Sequence, residues 1–173
     1  MATTPKITTA LNYIKDTTLP LINATGKYAL SLASPSIISR DFVGLDKIKP
    51  EEFPSVFIMS DGPNVYSPMT GVQYATGGAF DDITTGYNVR ILGYVKVTEP
   101  GAKQKTGALT DVMDQLIGDI ILAMHSDRTL GGNVHVVTLL ASDKSLEHWQ
   151  QNQGVVEVWF ALKYDFDPTS SAI

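Results

Sequence analysis

TTGYNVRILGYVKVTEPGAKQKTGALTDVMDQLIGDIILAMHS, residues 84–126, changes its hydrophobic period halfway along, and that change decides the fold. In its first part Tyr87, Val89, Ile91, Gly93, Val95 and Val97 alternate with Asn88, Arg90, Leu92, Tyr94 and Lys96. A period of two predicts a strand over 84–99 with two distinct faces. EPGAKQ breaks the alternation, and Leu109, Val112, Met113, Leu116, Ile120, Ala123 and Met124 then share one stripe at the helical period. Such a stripe predicts an amphipathic helix over about 103–126. Its opposite face holds Asp111, Gln115, Asp119 and His125, expected to be wet, with Leu122 among them.

Downstream, Gly131 and Gly132 close off the helix, and two strands are expected at Val134–Ala141 and Val155–Phe166. Between them the polar stretch Asp143–Gln153 reads as a loop far longer than a hairpin turn requires. Upstream, Ile7, Leu11 and Ile14, with Thr18 or Leu21, predict a helix from Pro5 onward that ends or kinks at Pro20. KYALSLAS, residues 27–34, alternates like a strand, 35–54 reads as irregular, and SVFIMSDG, 55–62, as a buried strand. Residues 62–87 are glycine-rich but retain Tyr66, Met69, Tyr74 and Phe80, which suggests a long hairpin-like arm. Strands in runs with helices set apart predict an α+β domain: a mostly antiparallel sheet with two helices packed on one face.

A chain of 173 residues suits one domain, spanning 1–173 with a flexible tail from about 168. Hydrophobic residues make up 43% and charged residues 18%, an apolar balance that leaves surface for other subunits to cover. The net charge is -5 and the lysines and arginines are scattered, so the concentrated basic face needed to grip phosphates is missing. With no cysteine, disulfides, thiolate metal sites and cysteine nucleophiles are excluded. The start of the chain lacks a secretory pattern and no apolar run approaches the roughly 18 residues of a membrane span, so a cytosolic site of synthesis and no membrane partner are expected.

Chemistry is sparse. His125, His135 and His148 lack zinc-site spacing. Glu147 and His148, with Asp143 as an acidic partner, could serve a small hydrolase or ligand-binding domain only if folding supplied a nucleophile within reach. Asp81 and Asp82 lie in the arm without a third carboxylate near them. No phosphate-binding glycine loop, dinucleotide fingerprint or nucleophile elbow occurs. The expectation is therefore a protein that is not an enzyme, with no cofactor and no metal. Leu122 on a polar helix face and Trp149 in a polar loop point to protein contacts, since a large rigid aromatic gains much burial under a partner.

The ordered pieces FPSVFIMSDG, VRILGYVKV, LTDVMDQLIGDIILAMHSDRTLGGNVHVVTLL and VVEVWFALKYDF, after an N-terminal helix, resemble the tail terminators of long-tailed bacteriophages, the family of minor tail protein U and related neck proteins. The run from a helix through DRTLGGNV into a strand is the most telling part. The resemblance implies a structural protein of the virion tail or neck, assembled in the host cytoplasm, whose copies close into a ring, usually a hexamer. The ring caps the tail tube and joins tail to head. Its implied partners are the tail tube protein, the head–tail connector or neck proteins and, as a further candidate, the tail sheath. DNA would pass through the channel without sequence-specific binding. A head-to-tail ring needs two different patches on each subunit; Tyr66, Met69, Tyr74 and Phe80 are the candidates for one, Leu122 or Trp149 for the other. A head-completion or tube protein is the alternative of the same kind.

Overall fold

The computed structural model describes residues 6–23, 34–62, 73–74, 83–97, 106–147 and 151–166. Its regular elements are α1 (Lys6–Tyr13), β1 (Ile37–Ser39), β2 (Ser55–Gly62), β3 (Gln73–Tyr74), β4 (Ile83–Lys96), α2 (Thr106–Ser126), β5 (Val136–Ser145) and β6 (Gln153–Phe166). Five strands lie in the order β1-β2-β4-β6-β5, and β3 adds a short pairing to β4. Only β1 and β2 run parallel; the remaining pairings are antiparallel. With α1 and α2 on one face, this is the expected α+β architecture. The central pair, β4 with β6, stays in register from Ile83 opposite Phe166 to Lys96 opposite Gln153.

The two periods of residues 84–126 meet in the main core. Val89, Ile91 and Val95 of β4, with Val56, Ile58, Val156, Val158, Phe160 and Leu162, are buried against Leu109, Met113, Leu116, Ile120, Ala123 and Met124 of α2. Two glycines let the helix settle onto the strands. A Cβ at Gly93 would lie 2.6 Å from Leu116 Cδ2 and 2.7 Å from Val156 Cγ2, and one at Gly154 would lie 2.6 Å from Met113 Sδ.

The N-terminal helix is shorter than its apolar spacing predicts. After Tyr13 the chain widens into a π turn, Ile14–Thr18, and tightens into a 3-10 turn, Leu19–Asn23. The Leu19 amide reaches back five residues to the Ile14 carbonyl just before Pro20, which has no N–H to continue the ladder. Ala10, Leu11, Ile14, Leu19 and Ile22 nevertheless join the main core, so the apolar stripe holds where the helical geometry changes.

Two further expectations need correction. Residues 35–54 are not wholly irregular: they contain β1, two 3-10 turns and Ile48, which is buried against Phe57, Leu92 and Tyr94 on the far face of the sheet. Three residues of strand are too few to establish a period. The closing strands are longer than expected: β5 runs on to Ser145 and β6 begins at Gln153, so both take in residues expected in the loop. β5 carries polar residues because it is an edge strand, and Lys144 turns to α2, where its Nζ is 2.7 Å from Asp114 Oδ1. A register shift between Leu139 and Ala141 marks a bulge that leaves Leu140 37% exposed. The strand expected at 27–34 lies outside the described residues except for Ser34, as do most of the arm and the tail from about 168.

Candidate interaction surface

The turn that follows α2 is built around one carboxylate. Asp127 Oδ1 accepts hydrogen bonds from the Thr129 amide (3.0 Å) and hydroxyl (2.7 Å), and Oδ2 accepts from the Gly131 amide (2.7 Å) and the Tyr13 hydroxyl (3.0 Å). These bonds, the Thr129 hydroxyl first and the Gly131 amide next, hold the Asp127 carboxyl down at about 2. Its own bond to Asp127 pushes the Tyr13 phenol up. Leu130, Gly131 and Gly132 follow with φ of 48°, 67° and 82°. Gly131 is required twice over, for its positive φ and because a Cβ would lie 2.7 Å from Tyr13 Cε2. Buried Leu130 plugs the turn into the core. The backbone of DRTLGGNV thus passes from helix to strand in a fixed shape, with the Val137 amide donating to the Arg128 carbonyl at 2.8 Å.

On the far face of the sheet, the segment that carries Phe42 and Leu45 stands over β4 and β6 and leaves a cleft of about 320 Å³. Apolar walls come from Phe42, Leu45, Met59, Leu92, Tyr94 and Val155, and a polar corner from Arg90 and Glu157, whose closest charged atoms are 3.5 Å apart. Burial pushes the Tyr94 phenol up, with Glu157 and then Asp46 adding to the effect. Phe42 meets Phe57 edge-on, ring centroids 6.1 Å apart, yet remains 53% exposed at the rim. Phe42, Leu140 and Leu146 are the exposed large apolar residues among those described.

The residues singled out by sequence fare unevenly. Tyr66, Met69, Phe80, Trp149 and His148 lie outside the described residues, together with Asp81 and Asp82. Tyr74 is in β3, its backbone opposite Ile83. Leu122 is on the outer side of α2 but only half-exposed. The wet helix face needs a larger correction: Asp119 is 2% exposed, and His125 packs edge-on against Phe160 with its Nε2 sealed from solvent. At the helical period Asp119 sits about 100° from Ile120, on a flank that one stripe of apolar residues does not reveal as covered. Glu147 is exposed, and Asp143 stands on β5 opposite Glu157 of β6. Among the described residues no three histidine, aspartate or glutamate side chains converge in a way that could hold a metal ion, and no helix is long and apolar enough to cross a membrane.

Sequence reasoning missed Phe42, Leu140 and Leu146. Phe42 stands next to Arg40 and Asp41, a lone aromatic in a polar stretch, and that was its one available signal. Leu140 owes its exposure to the bulge, which no period announces. Compared with known proteins, the chain matches no protein-family model and no curated protein sequence.

Proposed function

We propose that this chain is a structural virion protein of the tail-terminator kind, whose copies close into a ring that caps the tail tube and joins tail to head. The observation that carries the reading is the unit from α2 through DRTLGGNV into β5, a helix, a fixed turn braced by the N-terminal segment, and a strand. It is the unit on which the resemblance to tail terminators chiefly rests. A ring built head to tail needs two unlike patches per subunit. The exposed Phe42 at the far-face cleft and the exposed Leu140 and Leu146 at β5 and just beyond its end lie on different parts of the sheet and suit that requirement. A net charge of -5 suits a conduit that transmits DNA without retaining it.

Mass in solution tests the proposal. Light scattering and negative-stain images of the protein, alone and mixed with purified tube protein, are expected to show rings, hexamers on the family pattern, in at least the mixture. A monomer under both conditions overturns it. A ligand-binding domain is the second reading, favoured by the apolar cleft with its Arg90–Glu157 corner. Its test is a screen of small aromatic acids by NMR, in which selective shifts of the Leu45, Met59 and Leu92 methyl signals support it and their absence counts against it.

A further inference from the structure

Asp119 is a carboxylate without a role in the surfaces described above. It is 2% exposed, and neither of its oxygens has a hydrogen-bond partner among the described residues. Around the axis of α2 it lies about 140° from Asp114, whose bonds to Lys144 mark the side nearest β5. Asp119 is therefore on the flank turned away from β5, toward the β1–β2 side of the sheet. That is where the N-terminal segment lies: Asn12 of α1 is bonded by Arg40, just after β1, at 2.9 Å. α2 packs directly on the turns Ile14–Thr18 and Leu19–Asn23. Thr18, in the π turn, is 1% exposed and its hydroxyl too lacks a partner.

Among the described residues, the charged groups of the surrounding elements have other partners or are exposed. Lys15 and Asp16 pair with each other at 3.2 Å, Lys6 and Asp111 are exposed, Asp114 is bonded to Lys144, and His125 packs on Phe160. Asp127 is bonded within its turn and to Tyr13. The helix-facing positions of β2 and β4 include Val56, Ile58, Val89, Ile91, Gly93 and Val95, and the one titratable side chain on that face of β4, Tyr87, is bonded to Ser60. An ionised carboxylate sealed among such groups, with no donor to replace water, is strongly disfavoured.

We propose that the segment Lys6–Asn23 is a releasable cover on α2, seated over the neutral acid of Asp119 and latched by Tyr13 on Asp127, and that a charge on Asp119 drives it off. Burial raises the Asp119 carboxyl above its ordinary 3.8. The seated state therefore has its full stability below that value and loses it as pH rises toward the raised one. Asp127 works in the opposite sense: its bonds are in force above 3.8 and fail only as pH falls toward about 2. Release thus sets two carboxylates against each other, Asp127 in the turn after α2 resisting departure and Asp119 on α2 promoting it. The inference does not depend on ring formation.

Hydrogen exchange of the full chain between pH 4 and pH 8, corrected for intrinsic rates, is the test. In the unsubstituted protein the opening constant of Lys6–Asn23 is expected to rise with pH, by up to about tenfold per unit within the window, while the amides of β4 and β6 do not change. Asp119→Asn and the apolar Asp119→Leu should each flatten that dependence, and Tyr13→Phe should raise opening about five- to tenfold at every pH without changing the slope. A flat profile in the unsubstituted protein overturns the proposal, as does a slope that survives both Asp119 substitutions. Opening of the segment only together with β4 and β6 overturns it as well.

Discussion

The two faces of the sheet are made by alternate residues of the same strands, yet they are closed in different ways. On the helix face every inward position of β4 from Val89 to Val95 is buried, and α2 approaches closely enough that Gly93 has no room for a side chain. On the far face Leu92 and Tyr94 are buried under Ile48 and its neighbours, but Arg90 is only half-buried, and the covering segment leaves a cleft. A long amphipathic helix buries a whole row of residues, whereas a short strand and two 3-10 turns cover only what they happen to cross. The helix face therefore carries the stability of the domain, and the far face is free to carry contacts.

This contrast can be broken most forcefully at the centre of the helix face. Phe160→Ala empties a fully buried position and should cost about 3–5 kcal/mol, read as the shift in a urea unfolding midpoint. Gly93→Ala drives a methyl into Leu116 and Val156 and should cost about 1–3 kcal/mol by the same measurement. Gly154→Ala should cost less, because the obstructing atoms all belong to one unbranched methionine, Met113, which adapts its torsions more readily than a leucine and a valine together. If the order of the two glycine substitutions is reversed, α2 does not press hardest at Leu116.

At the edge of the helix face, Asp127→Asn removes a carboxylate held down at about 2 by four hydrogen bonds. Much of that carboxylate is open to solvent, which screens its contribution, so about 1 kcal/mol is expected. The sign with pH is fixed: a depressed pKa stabilises the fold above 3.8 and stops doing so as pH falls toward about 2. Thermal unfolding should accordingly separate the variant from its parent at pH 6 and bring the two closer together at pH 2. The smallest effect on stability is expected on the far face. Phe42→Ser should cost about 1 kcal/mol or less, since the ring is half in solvent and keeps one edge-on aromatic contact. The same substitution should nevertheless weaken self-association measured by light scattering, which would sharpen the division between a face that stabilises and a face that binds.

The helix face was legible in the sequence because its two elements are long. Fourteen residues of β4 and twenty-one of α2 give a period time to establish itself, and both elements appear where the pattern puts them. The far face was not legible, because Ile37, Leu45, Ile48 and Phe53 are brought together by turns, with no repeating interval between them. Asp119 shows a second limit. Its polarity places it on the wet side of a helix treated alone, and tertiary packing that no single-helix period reports leaves it 2% exposed. Of the candidate contacts, Leu122 proved half-exposed, while Leu140 became visible only with the bulge.

The bond from Tyr13 to Asp127 joins residues 114 positions apart. On a ribosome adding roughly 5–20 residues per second, the first helix emerges many seconds before the turn that anchors it has been synthesised. Through that interval Leu11, Ile14, Leu19 and Ile22 have no native surface to rest on, and a chaperone that recognises short apolar stretches has its best opportunity there.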